Sequence, residues 1–527
     1  MAILISILYT FVSAGLLSLG IPNELLKGGS VLLGLIALVP LYVALKKSRS
    51  YLHAGLLGAL MMMLVQLLSS FWLAYFKDFA IFTLGGSALV CFIEGFFAGI
   101  MLRFCFSFPE YLSPFLFAAV WTITEWFKSI GFFAYPWGTL VMTSFHFSPL
   151  IQIADITGTW GIGFLLALVS AVFGETVLNF PLSREKFRQS ILFRTICFSC
   201  GLLVLSCTYG AVKLLFPPKN ETSLDMVLVQ QNADPWEEGS IVKAMLDSEN
   251  LTKDAIAKAN KKPDLVVWSE SVLSYPYTEN RDYYMQIPKE YPFGHFLEDI
   301  NTPLLVGSPV LVDSLNDGYS NSVILLSPDG KQLDYHAKIQ LVGFAEYLPF
   351  TEYALVRKFF DKIVGFSRGW IPGKSVAPMS VANKEGIQVR FATPICFEDA
   401  FSDLNAQMQN AGSDILINLT NDSWSKTDSA ELQHFVISAF RSIELRTTLV
   451  RSTNAGYSVV VGPTGKILDE MPLFRATSKF ISVPVYPHLI TFYARFGDWF
   501  PKLMYLVFII AAIASFISAR KQKKGLI

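Results

Sequence analysis

The chain has 527 residues, 52% of them hydrophobic and only 16% charged, with a mean hydropathy of +0.44. An ordinary soluble enzyme carries about a quarter charged residues, so that class is excluded, and the length leaves room for two to four domains. Lys+Arg and Asp+Glu both number 42, and a net charge of zero gives no footprint for nucleic acid or for an acidic partner.

Apolar runs long enough to cross a bilayer, about 17–25 residues, are read at 1–20, 30–46, 52–76, 80–104, 111–127, 150–178 and 191–215, with an eighth at 503–519. The first starts at Met1 without a charged leader or a small-residue cleavage site, so it is expected to be retained. Basic residues follow alternate spans: KKSRS (46–50), Arg103, SREKFR (183–188) and RKQKK (520–524). The positive-inside rule then puts both termini in the cytoplasm and the long insert outside. Four acids, Glu94, Glu125, Asp155 and Glu175, fall within these runs. Such acids can mark a proton or transport path, although Glu125 and Asp155 lie at span ends, where the structural reading is the simpler one. GFFAYPWGTL (131–140) is an external loop too apolar for plain solvent, suited to the interface where a lipid could enter.

The six cysteines are Cys91, Cys105, Cys197, Cys200, Cys207 and Cys396. Five lie in apolar runs. Cys197 and Cys200 have C-x-x-C spacing, but in an apolar helix they read as small lipid-buried residues and not as a redox or zinc motif. Cys396, without an evident disulfide partner, is either inert packing or a nucleophile.

From Ser223 the pattern changes. SLDMVLVQQN, PDLVVWSES, TPLLVGSPV, GIQVRFATPIC and SDILINLTND are short apolar runs with polar ends. The spacing predicts helices over Ser240–Asn260, Glu398–Ala411 and Ser429–Arg446. SPDGK and GPTGK are hairpin turns. Strands alternating with helices and interspersed hairpins mean a layered α/β domain with mixed sheets. Sites in such domains gather at strand carboxyl ends, where Glu270, Cys396, Asn421 and Asp422 are found, with Lys338 after a hairpin strand.

A thiol needs a base to become nucleophilic near neutral pH, and a helix start can stabilise the anion. No histidine has a convincing context: His336 reads as an exposed hairpin side chain and His434 as packing or surface. The remaining option is a carboxylate base with a lysine. Glu270, after Trp268 on a buried strand, would gain base strength by desolvation. Lys338 would hold a developing oxyanion. Each taken alone could equally be a solvated strand-end acid or a surface lysine.

The ordered set VVWSES, HAKIQLVGFAEYLPF, TPICFED and NLTNDSW resembles the Glu-Lys-Cys motifs of the nitrilase superfamily. With seven apolar runs before the insert and one after, and with FFAYPWGTL and GTWGIGFL in the first half, the chain resembles the apolipoprotein N-acyltransferase family over nearly its full length. The resemblance implies a nitrilase-like α-β-β-α sandwich inserted into an eight-helix transmembrane domain. The domains would be 1–216 (seven helices), 217–498 (extracytoplasmic and catalytic) and 499–527 (eighth helix and basic tail). It implies a base at Glu270, an oxyanion lysine at Lys338, a nucleophile at Cys396 and a supporting acid at Glu346. Phe397 and Glu398 match the pair after the nucleophile, and Trp236 a loop tryptophan guarding lipid entry, these three as substrate-binding residues. The implied reaction moves an acyl chain from a phospholipid, through a thioester on Cys396, to the α-amine of diacylglyceryl-cysteine on an apolipoprotein. It calls for no metal or cofactor, and the protein is expected to be a monomer in the bacterial inner membrane. Gly343 and Ala345 depart from the family's LVPFGEY, and TNDSWSKTDSA from its NDAWFG. The rival readings are a membrane-anchored amidase, with water as acceptor, and a transporter or receptor with a ligand-binding insert.

Overall fold

Runs of Leu, Ile, Phe and Ala without breakers become long helices, and the breakers decide where the runs stop. The computed structural model describes residues 2–523 except 77–79, 180–190, 235, 236, 238, 344, 349, 352 and 364–368. It divides the chain into two units. The first is Met1–Phe216 with Thr427–Phe440 and Phe496–Ile527, and the second is Pro217–Lys426 with Arg441–Arg495. The sequence reading had kept 217–498 together, whereas most of the helix Asp428–Leu445 groups with the first unit.

In the first unit, six described helices are long and apolar enough to cross a membrane: Ile3–Gly20, Tyr51–Ser69, Thr83–Ser107, Thr159–Leu178, Leu192–Leu215 and Trp499–Lys521. The expected runs at 30–46 and 111–127 are not among these six. The run at 30–46 is split into Val31–Ile36 and Val39–Lys46, with Pro40 in the first turn of the second helix. Proline lacks the N–H that would continue the ladder. The run at 111–127 is the 16-residue helix Ser113–Lys128. The run at 150–178 is interrupted at Gly158, whose φ of +63° favours glycine. Two four-residue turns precede it and Thr159–Leu178 follows.

Three of the acids in these runs are tied to neighbouring segments. Glu175 accepts from the Tyr42 hydroxyl at 2.7 Å and pairs with Lys46. Glu125 accepts from the Trp121 indole at 3.0 Å and the Leu140 N–H at 2.7 Å. Asp155 accepts from Tyr209 at 2.9 Å, with Lys213 at 3.4 Å. These contacts cross-link helices, which is the structural reading of those charges. The helices Tyr51–Ser69 and Gly86–Phe104 touch backbone to backbone: a Cβ on Gly58 would lie 2.3 Å from the Gly95 carbonyl, and one on Gly99 2.2 Å from that of Ala54. Small residues permit this approach. Gln433, in the part of Asp428–Leu445 that belongs to this unit, donates to the carbonyls of Pro22 and Ser69, both at 2.9 Å. His434 is buried against Trp137.

The second unit holds two six-stranded mixed sheets. One has the order β14 (Thr477–Val485), β1 (Thr222–Gln230), β2 (Leu265–Val267), β3 (Leu304–Gly307), β6 (Ser322–Leu326), β7 (Gln332–Ala337). The other runs β13 (Ile467–Glu470), β12 (Val459–Val461), β11 (Thr448–Thr453), β10 (Ile415–Thr420), β9 (Gln388–Ala392), β8 (Met379–Ala382). A small hairpin, β4 (Val310–Asp313) and β5 (Gly318–Ser320), stands apart. Side chains alternate faces along a strand. Leu224, Met226, Leu228, Val267, Ile415, Ile417, Leu419 and Val450 thereby enter one core shared by both sheets. Val227, Val229, Val266, Leu304 and Ile324 point the other way, into a cluster with Met245, Phe293, Phe296 and Leu297 from the helices Ser240–Ala259 and Phe293–Ile300. β1 and β2, β2 and β3, β9 and β10, and β10 and β11 pair in parallel, so their carboxyl ends align within each sheet. β14 pairs with β1 over nine residues; neither it nor β8 was foreseen as a strand.

Candidate active site

Glu270 comes three residues after β2, where the chain turns through Ser271 (φ +59°). β3 ends against this turn at Gly307, where a Cβ would lie 2.3 Å from the Ser271 nitrogen and 2.8 Å from the Glu270 Cα. The base-candidate carboxylate is buried. Its Oε1 accepts from the Asn321 amide at 2.8 Å and its Oε2 from the Asn421 N–H at 2.9 Å.

Lys338 follows β7 directly and is fully buried. Its N–H donates to the Asn321 carbonyl at 2.8 Å. Its ammonium is 2.8 Å from Glu346 Oε1 and 3.6 Å from Glu270 Oε1. Glu346 in turn binds the Val342 N–H through Oε2 at 2.9 Å, closing the 342–346 turn on itself. That closure spans Gly343 and Ala345, the two departures noted above; Phe344 between them lies outside the described residues. The Asn321 amide donates to Glu346 as well, at 3.1 Å, and so bridges both acids.

Cys396 opens a short turn, Cys396–Ala400, and has φ +52°, a left-handed conformation that costs a non-glycine residue about 1–3 kcal/mol unless its surroundings fix it. The surroundings here do so. Asn418 on β10 donates to the carbonyls of Pro394 and Cys396 at 3.0 and 2.8 Å. Glu398 accepts from Ile395 N–H at 2.7 Å through Oε2. Through Oε1 it accepts from Ile339 and Gln340 N–H at 2.6 and 2.9 Å. One carboxylate therefore fastens the thiol turn to the segment after Lys338. The helix expected over Glu398–Ala411 is this turn followed by Ser402–Asn410.

Glu398 is fully buried with both oxygens on backbone donors. One expectation is corrected. His336 was expected to be exposed, but it is buried with Nε2 3.5 Å from Glu398 Oε2. The reason is register: His336 sits opposite Val323, and that position faces the shared core. Phe397 places its ring 5.5 Å from the Lys338 ammonium. Trp236 lies outside the described residues. The loop leading to it is pinned by Asn454, whose side chain exchanges bonds with Ala233 at 2.9 and 2.7 Å and also reaches Asn421 at 3.0 Å.

Burial sets the electrostatics. It pushes the Glu270 carboxyl up, helped by Glu346 and Asp422 and opposed by Lys338 and Asn321. It pushes the Cys396 thiol well up, with Glu270 and Asp422 adding to the rise and Lys338 and Thr420 opposing it. Burial alone would lower Lys338, but Glu346, Cys396 and Glu270 outweigh it and hold the ammonium charged. The arrangement is a thiol and a buried carboxylate that bears on its titration, beside a cation fixed by two acids. Asn421 was singled out at a strand end; Asn321 and Asn454, which the site's hydrogen bonds also join, had no signal beyond lying next to short apolar or polar runs.

The apolipoprotein N-acyltransferase N-terminal domain family matches residues 13–172, and the carbon-nitrogen hydrolase family matches residues 228–483. A protein of Treponema denticola named apolipoprotein N-acyltransferase 2 is 48% identical over 97% of this chain and 97% of its own. A protein of Treponema pallidum with the same name is 43% identical, covering 97% of this chain and 95% of its own. Apolipoprotein N-acyltransferase of Borreliella burgdorferi is 32% identical over 94% of this chain and 93% of its own. Relatives alike at this level from end to end span both the apolar helices and the two-sheet unit, and the chain belongs to the apolipoprotein N-acyltransferase family.

Proposed function

We propose that this chain transfers a fatty acyl chain from a membrane phospholipid to the α-amino group of diacylglyceryl-cysteine at the N-terminus of an apolipoprotein, in two half-reactions. Glu270 takes the proton of Cys396 as the sulfur attacks an ester carbonyl. The C–S bond forms, and the oxyanion is held by Lys338 and a backbone N–H. Collapse breaks the C–O bond, the proton on Glu270 goes to the departing alcohol, and a lysophospholipid leaves a thioester on Cys396. The acceptor amine then attacks the thioester, the C–N bond forms, and its proton returns through Glu270 to the sulfur. A thioester suits this sequence because amines attack it readily and water slowly. Glu346 and Glu398 position, and Phe397 and Trp236 contact the lipid.

The observation that carries this reading is the Lys338 ammonium held by Glu346 and within 3.6 Å of Glu270, with Cys396 in a fixed left-handed turn whose titration feels both Glu270 and Lys338. The domain reading is 1–216, 217–498 and 499–527, with all eight apolar runs crossing or entering the bacterial inner membrane. The α-β-β-α unit lies outside, both termini lie in the cytoplasm, and the protein acts as a monomer. Purified protein given phospholipid without acceptor should gain one acyl mass on the peptide bearing Cys396. Mass spectrometry that finds no adduct there, or finds it on another residue, would sink the proposal.

A further inference from the structure

Arg451 lies on β11, directly beside Asn418 on β10 in the parallel register. Its neighbour Val450 points into the shared core, so Arg451 points to the opposite face, where it is fully buried. Its Nε is 3.2 Å from Asp399 Oδ2 and 3.4 Å from Asn418 Oδ1, and its Nη2 is 3.7 Å from Asp422 Oδ2. Asp399 and Asp422 are both buried. Asp399 belongs to the Cys396–Ala400 turn, and Asp422 follows β10. A buried guanidinium is costly, and among the described residues Nη1 and Nη2 make no hydrogen bond, so its place is not explained by bonding alone. What it does is cancel charge. Two carboxylates flank the thiol turn, and without a cation both would oppose negative charge on the sulfur.

We propose that Arg451 is a positioning residue that keeps Cys396 able to ionise, by neutralising Asp399 and Asp422 and sharing Asn418, the side chain that fixes the Cys396 turn. This rests on the reading of Cys396 as nucleophile. Among the described residues, the charged groups that bear on the sulfur's titration are Glu270 after β2, Lys338 after β7 with its partner Glu346, and Asp422 after β10. In the turn itself are Glu398, which faces His336, and Asp399. From the helix Asp428–Leu445, Arg441 and Glu444 are paired with each other at 3.0 Å and leave the balance unchanged. Asp422 bears on both Cys396 and Glu270 and is paired with Arg451. An uncompensated charge several ångströms away moves a proton equilibrium by about one pH unit, a tenfold change in thiolate at neutral pH.

The test is the pH dependence of iodoacetamide alkylation of the full-length protein in detergent micelles, read on the Cys396 peptide so that the other cysteines do not interfere. Arg451→Met should alkylate about tenfold more slowly at pH 7, with the midpoint moved to higher pH. Asp422→Asn should move the midpoint the other way. The double variant should return to within about threefold of the parent rate. A folded Arg451→Met protein with an unchanged midpoint overturns the proposal, and so does Asp422→Asn without an acid shift, which decides the matter if Arg451→Met does not fold. Alkylation reads the thiol and not acyl transfer. Absence of an acyl adduct in the earlier experiment would therefore sink the proposed reaction and leave these shifts standing, while unmoved midpoints would sink only the role of Arg451.

Discussion

Asn321→Leu separates the proposed base from the side chain that tunes it. The amide of Asn321 is the donor to Glu270 Oε1, at 2.8 Å, and to Glu346 Oε1, at 3.1 Å. Leucine is close in volume and donates nothing. Glu346 keeps Lys338 at 2.8 Å, but Glu270 is left with the Asn421 N–H and a more distant ammonium. A hydrogen bond to a charged group is worth about 1.5–3 kcal/mol, which corresponds to about one to two pH units. The direction is fixed, since Asn321 holds the Glu270 carboxyl down and its loss lets the carboxyl rise further. Glu270 must be ionised to accept the sulfur's proton, so the acid limb of the rate profile moves to higher pH. Below that limb, Cys396 acylation should slow by about 10- to 100-fold. Well above it the deficit should shrink to a few-fold. The assay is the rate of acyl-adduct formation on Cys396 between pH 5.5 and 9, with thermal unfolding as a folding control. A deficit that is the same at every pH would mean that Asn321 only holds the backbone, through its carbonyl bond to Lys338, and would refute the reasoning.

Three other outcomes are expected. Gly307→Ala puts a methyl 2.3 Å from the Ser271 nitrogen, and the displaced Glu270 turn should cut the acylation rate at least tenfold while the unfolding temperature falls by only a few degrees. A rate unchanged in the folded variant would contradict the fit described at this turn. Gly95→Leu drives a side chain into the Gly58 carbonyl, 2.4 Å from where its Cβ must stand; the helix pair should separate, with a loss of several kcal/mol and poor recovery of folded protein in detergent, and a normal yield and melting temperature would count against the close crossing. Glu249 is fully buried, with no hydrogen bond to either oxygen among the described residues, and burial pushes its carboxyl up from 4.5 to about 8, opposed by Lys253. A folded-state value above the unfolded one means stability present below about pH 4.5 and lost as pH rises through about 8. Glu249→Gln should therefore gain about 4–5 kcal/mol relative to the parent at pH 8.5 and under about 1 kcal/mol at pH 5; equal gains at both pH values would show that the charge is not what costs stability.

What was legible in the sequence had a local signature. The hairpin at SPDGK carries Gly330 at φ +71° and pairs β6 with β7. Glu270, Lys338 and Cys396 each follow a strand closely, and Glu270 and Lys338 meet at 3.6 Å. What was not legible depends on partners far apart in the chain. Asn321 meets Glu270 across 51 residues and Glu346 across 25, and Asn421 meets Glu270 across 151. No pattern within a single strand encodes such pairs. His336 was misplaced because β7 has a mixed face, with Leu333 and Tyr335 exposed and His336 buried, so that polarity and burial disagree along it. The interrupted helices were hidden for a different reason: hydropathy averages over a window, and one Pro40 or Gly158 hardly changes the mean while it ends a hydrogen-bond ladder.

The charges of the site limit how the sulfur can react. Lys338 is the cation against both Glu346 and Glu270, and the nearer of these, Glu346, at 2.8 Å, takes up most of its charge. Glu270 and Cys396 are then two buried acids with little positive charge left between them. Glu270 raises the hold of Cys396 on its proton, and burial raises both. Deprotonating both would put a second negative charge in a desolvated site, so the pair retains one proton at neutral pH. The resting sulfur is therefore a thiol and not a standing thiolate, unlike a cysteine held as an ion pair with a protonated histidine. In the proposed reaction, nucleophilic sulfur would appear only as its proton passes to Glu270, when an ester carbonyl arrives whose developing oxyanion can draw on Lys338. Coupling ionisation to substrate in this way keeps a reactive cysteine from being spent on stray electrophiles. It also requires that the base, the cation and the acids behind the thiol turn stay fixed, which is the common effect of Asn321, Glu398 and Arg451.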